Sequence, residues 1–154
     1  MNGKWFWWGN KSNFKGLWKM MYKRYTAYHH LNNLIWVWSP NIGRPISDYY
    51  PGDKYVDIVG LDGYTGGQRN WDNNATLQRD MDEITSLSKN RIISFAELGW
   101  LPDMDWLETQ RPEFVWFLCW WTHLTKENTE EQIKQCYLHP YSINRENINW
   151  HSFP

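Results

Sequence analysis

The chain has 154 residues, 42% of them hydrophobic, with a formal charge of −1; that is the size and apolar content of one domain able to build its own core. The near-neutral balance and the lack of a basic block argue against a nucleic-acid surface, and no apolar stretch reaches the roughly 20 residues of a membrane span. Cys119 and Cys136 form neither a disulfide framework nor a metal-ligand spacing.

Thirteen Trp, nine Tyr and six Phe make up 18% of the chain, more flat rings than a core requires; sugar-binding clefts and protein interfaces use such a surplus. The opening Met1-Asn2-Gly3-Lys4-Trp5 has no signal-peptide layout and reads like the middle of a protein. A helix follows, capped by Ser12 or Asn13, with Phe14, Leu17, Trp18, Met21, Tyr25 and Tyr28 on one face. The run from Asn33 to Pro40 predicts a strand closed by proline, and the Gly- and Pro-bearing stretch from Asn41 to Lys54 a long loop.

A second strand spans Tyr55 to Asp62 and exits at Gly63-Tyr64. Its helix carries Leu77, Met81, Ile84 and Leu87 on one side and ends near Asn90. The third strand runs from Arg91 through Ile92-Ile93-Ser94-Phe95-Ala96 into Glu97. A non-alternating apolar run predicts a strand buried on both faces. An ionised carboxylate inside it would be costly, so Glu97 belongs where the strand opens into a cleft. A short helix over 105–110 precedes the fourth strand, Phe114 to Trp121. A last helix from about Glu130 to Tyr137 takes Asn128 as N-cap and Glu131 as its box partner.

Strands alternating with helices every few tens of residues predict a parallel α/β sheet. A closed eight-stranded barrel needs at least roughly 200 residues, so the chain is either a small open sheet or part of a barrel. The strand exits present Trp38, then Asp62 with Tyr64, then Glu97 with Trp100, then Trp120 with Trp121. Rings that stack on sugar faces beside carboxylates that do chemistry make a polysaccharide cleft. Phe14, Trp18, Tyr25 and Phe117 are core by periodicity, Trp5, Trp38, Trp120 and Trp121 divide between stacking and core, and Asp57 reads as structural. The histidines show no ligand spacing.

Several segments resemble glycoside hydrolase family 26. They are Met-Asn-Gly-Lys-Trp-Phe-Trp-Trp-Gly at 1–9, Asn-Leu-Ile-Trp-Val-Trp-Ser-Pro at 33–40, Tyr-Tyr-Pro-Gly-Asp at 49–53, Val-Asp-Ile-Val-Gly-Leu-Asp-Gly-Tyr at 56–64, Ala-Glu-Leu-Gly at 96–99 and Trp-Trp at 120–121. The resemblance implies an α/β fold that is the C-terminal half of a (β/α)8 TIM barrel, strands 5 to 8 with the exit of strand 4. It implies a retaining endo-β-1,4-mannanase needing no cofactor or metal, acting on β-mannan or a related polysaccharide, secreted or at the cell surface.

By that resemblance Glu97 is the nucleophile and Tyr64 orients it, while Trp5, Asp62, Trp38, Trp100, Trp120 and Trp121 contact substrate. The family's general acid/base, a glutamate preceded by histidine, falls directly before the segment matching Met1, so the 154 residues form a partial catalytic domain 1–154 without it. Two rival readings are a non-catalytic carbohydrate-binding module or pseudoenzyme, and a half-barrel that assembles with itself or with a separate first half. A half-barrel leaves sheet edges and interior side chains uncovered, which invites self-association.

Overall fold

The computed structural model describes residues 10–64 and 71–152; the opening stretch with Trp5 lies outside them. Four strands, β1 Val37–Trp38, β2 Ile58–Gly63, β3 Ile92–Leu98 and β4 Phe114–Cys119, form one sheet in the order β1-β2-β3-β4. Every pairing is parallel. The helices are α1 Lys11–Lys23, α2 Ala75–Ser88, α3 Met104–Gln110, α4 Trp121–Glu127 and α5 Glu130–Tyr137. The fold is therefore α/β with a parallel sheet, as the alternating pattern predicts.

Caps set the helix ends, and two sit one to three residues from their expected places. Asn10, not Ser12 or Asn13, caps α1: its Oδ1 accepts from the amides of Ser12 at 2.8 Å and Asn13 at 3.4 Å. Thr129, not Asn128, caps α5, closing a capping box with Gln132. Adjacent Asn and Thr both suit an N-cap, so the sequence could not separate them. Helix α1 presents a narrower inner stripe than its periodicity suggests. Phe14 and Trp18 pack on the core, whereas Leu17 is 43% and Tyr28 65% exposed.

Beyond β1 the chain is anchored by a buried acid. The side chain of Asp80, fully buried on α2, accepts from the amide of Gly43 at 2.5 Å and from Nε and Nη2 of Arg79 at 2.8 and 2.6 Å, so its buried oxygens are all hydrogen-bonded. Arg91 fastens the start of β3 by donating to the carbonyls of Val56, Ser88 and Asp53.

One sheet face packs on the helices. Val59 and Leu61 of β2, Ile93, Phe95 and Leu98 of β3, and Phe114 of β4 join Leu77, Met81 and Ile84 of α2 in the core. Phe95 stacks on Phe114 with ring centroids 4.3 Å apart. The other face, which carries Ile58, Ile92, Val115 and Leu118, the last two set three residues apart by a bulge in β4, is open: Ile92 is 51%, Val115 60% and Leu118 48% exposed. Of the third strand expected to be buried on both faces, Ile93 and Phe95 are buried on the helix-covered face and Ser94 on the other, but Ile92 is exposed, because within these residues only one layer of helices covers the sheet.

Candidate active site

The site is built where β2 and β3 end, and a bulge makes it. Gly60 pairs with Ser94, but Asp62 pairs with Glu97, so two steps along β2 meet three along β3. The extra residue turns Glu97 onto the same face as Asp62; without it Ala96 would hold that position and Glu97 would point at the helices. Gly60 makes room for the bulge. A Cβ there would lie 2.8 Å from Cβ of Ala96 and 3.1 Å from Oγ of Ser39.

Two residues beyond Asp62, Tyr64 projects from the strand exit and donates its hydroxyl to Oε1 of Glu97 at 2.6 Å. Burial, the hydrogen bond to Glu97 and the charges of Glu97 and Asp62 all drive the Tyr64 phenol far above its ordinary value. It therefore stays a neutral donor. Asp62 accepts from the hydroxyl of Ser39, a residue that sequence reasoning missed. Burial pushes the Asp62 carboxyl up to about 6, the Ser39 hydroxyl opposes this, and the charge of Glu97 adds to the rise.

A folded-state value of about 6 for Asp62, against about 3.9 when unfolded, means that the folded protein holds this proton more tightly. The associated stability is complete below about pH 4 and is lost as pH rises through about 6, at most about 3 kcal/mol. Urea denaturation across this window is expected to show Asp62→Asn flattening the decline. Parallel declines in the two proteins would assign it to other groups.

Trp38 is a correction. It pairs with Val59, and so faces the helices, fully buried against Tyr50 with ring centroids 5.0 Å apart. It cannot stack on a sugar; Ser39, on the opposite face, is the residue that reaches the site. Trp120 and Trp121 lie past the end of β4 rather than within it, 47% and 73% exposed, with Trp120 capping and Trp121 opening α4. Trp100 is partly buried, with Nε1 3.2 Å from Oε2 of Glu127. It borders a cavity of about 600 Å³ between the loop after β3, α3 and α5, which does not include Asp62 or Glu97. Asp57 accepts from the amide of Trp36 at 2.8 Å, the structural role expected of it. Among the described residues no three His, Cys, Asp or Glu side chains gather as a metal site, and no helix is long and apolar enough to cross a membrane.

With this geometry in hand, comparison with known proteins is decisive. The profile of glycosyl hydrolase family 26 matches residues 1–147. The chain belongs to glycosyl hydrolase family 26. It is 34% identical over 152 residues to a mannan endo-1,4-beta-mannosidase of Thermothelomyces thermophilus, covering 95% of this chain and 30% of that protein. A Bacillus subtilis (strain 168) enzyme of the same name is 34% identical over 78% of this chain and 36% of its own. Among solved structures, the family 26 protein GH26A from Muricauda sp. MAR_2010_75 superposes with a TM-score of 0.82 at 39% identity, covering 97% of this chain and 50% of that one. A beta-mannanase from a symbiotic protist of the termite Reticulitermes speratus, complexed with gluco-manno-oligosaccharide, gives 0.74 at 31% identity, covering 96% and 46%. This family 26 chain thus spans about a third of those two enzymes and about half of those two solved structures.

Proposed function

We propose that the chain is the nucleophile-bearing part of a retaining endo-β-1,4-mannanase, with Glu97 attacking the anomeric carbon of a mannosyl unit. The observation that carries this is the 2.6 Å hydrogen bond from Tyr64 to Glu97 beside Asp62 at the ends of parallel strands, the end of α/β folds where sites are built. Tyr64 occupies one lone pair of the carboxylate and fixes its rotamer, leaving the second oxygen to attack. The exposed rings of Trp120 and Trp121 at the neighbouring exit offer stacking surfaces for a polysaccharide.

Retention needs a second carboxyl group about 5 to 5.5 Å from the first, to protonate the departing oxygen and then activate water. We assign it to the portion of the domain outside these 154 residues, of which strands β1 to β4 are strands 5 to 8 of a (β/α)8 barrel. The uncovered Ile92, Val115 and Leu118 support this, since they are the side chains that the rest of a barrel would cover.

The test is covalent. With 2-deoxy-2-fluoro-β-mannosyl fluoride, the Glu97 oxygen forms a bond to the anomeric carbon while the C–F bond breaks and fluoride leaves with its electron pair, so no acid is required. Mass spectrometry should place the sugar on the peptide containing Glu97 and find none in Glu97→Gln. No adduct on the folded chain overturns the assignment and favours the non-catalytic binding module, and an adduct on Asp62 overturns it by making Asp62 the nucleophile.

A further inference from the structure

The ring of Tyr64, which reaches Glu97, packs against two walls that meet on one side of it. One is the backbone of Gly99, so close that a Cβ there would lie 3.1 and 3.3 Å from Cδ1 and Cε1 of Tyr64. The other is the imidazole of His123, with ring centroids 5.4 Å apart and planes at 62°. The same Cβ would be 3.6 Å from Nδ1 of His123, so strand exit, phenol and imidazole converge at one point. His123 arrives there because α4 starts directly after β4, its amide donating to the carbonyl of Trp120 at 2.9 Å.

One carboxamide joins the two walls. Nδ2 of Asn128 donates to the carbonyl of His123 at 3.1 Å and to that of Gly99 at 3.5 Å, while its Oδ1 accepts from the amide of Leu101 at 3.0 Å. Released from capping α5 by Thr129, Asn128 ties the loop after β3 to α4.

We propose that His123 and Asn128 are positioning residues, holding in place the wall against which the Tyr64 ring packs so that its hydroxyl stays on Glu97. The phenol oxygen sits at the far end of the ring, where a tilt of roughly 10° exceeds the tolerance of about 0.5 Å that a productive site allows. An imidazole packed at an angle to the ring supplies that restraint without competing for the hydroxyl, and only glycine at 99 lets the backbone come in beside it. The geometry stands independently of the proposed function; its catalytic consequence rests on Glu97 being the nucleophile.

The test reads Tyr64 itself in the 154-residue chain, labelled with ¹³Cζ-tyrosine and assigned by the signal lost in Tyr64→Phe. In the unaltered protein Tyr64 stays protonated through the alkaline range. His123→Ala and Asn128→Ala should bring its titration down toward the ordinary tyrosine value of about 10, and His123→Phe, which keeps a ring edge, should restore the unaltered behaviour. Near-ultraviolet circular dichroism identifies any variant that unfolds, and the remaining ones then decide. Unchanged Tyr64 titration in a folded His123→Ala or Asn128→Ala protein overturns the proposal, as does a folded His123→Phe protein that behaves like the alanine variant. Because no glycoside is involved, this readout is independent of whether Glu97 is a nucleophile. Where the fluoro-sugar labels Glu97, His123→Ala should lower its limiting rate about tenfold to a hundredfold at unchanged half-saturation.

Discussion

A 2,4-dinitrophenyl β-mannoside is expected to release about one equivalent of phenolate per chain in a burst, while β-1,4-mannan stays essentially uncut and Glu97→Ala gives no burst. The two substrates differ in what leaves. Dinitrophenolate departs as a stable anion, so under the proposed function attack by Glu97, hydrogen-bonded to Tyr64 at 2.6 Å, is sufficient. A sugar hydroxyl must be protonated as it leaves, and losing that acid costs about 10² to 10⁴ in rate. The burst follows because water needs the same group, which the proposed function places outside these residues, as base to free the glycosyl-enzyme. Phenolate absorbance and reducing-end release measure the two arms. Brisk mannan cleavage by the 154-residue protein would show that a general acid lies within it.

Trp38→Ala is expected to lower the unfolding free energy by about 3 to 5 kcal/mol, whereas Trp120→Ala should change it by less than about 1 kcal/mol. Trp38 is fully buried and Trp120 47% exposed, so only the first substitution opens a cavity in the core. The larger loss is a substantial share of the 5 to 15 kcal/mol that typically holds a domain folded. Removing the indole also removes Nε1, which is buried with no partner among the described residues; that partial relief places the expected loss toward the lower end. Urea unfolding of the two variants checks this directly. A cost of under 1 kcal/mol for Trp38→Ala would remove Trp38 from the core.

The contrast between these tryptophans shows how far the chain can be read unaided. Both lie in apolar, aromatic runs near the end of a strand, and composition treats them alike. In β1 the pairing of Trp38 with Val59 decides that the indole faces the helices and that Ser39 faces the carboxylates. Register is a property of two strands, and a shift of one residue exchanges every side chain between faces. Asn128 makes the same point: its amide was legible as a capping group, but its partners, Gly99, Leu101 and His123, come from two other segments.

The sequence by itself determined the parallel α/β pattern, the helix faces that hold Leu77, Met81 and Ile84 in the core, and Glu97 at the mouth of an apolar strand with Tyr64 at the next exit, because these follow from local periodicity and from the cost of burying charge. Tertiary structure alone decided that Glu97 and Asp62 share a face, through the bulge between Ser94 and Glu97. It also chose Ser39 over Trp38 as the neighbour of Asp62 and drew His123 onto Tyr64. Those outcomes depend on which backbone lies alongside which, and a single extra residue in one strand, invisible in composition or period, reverses them.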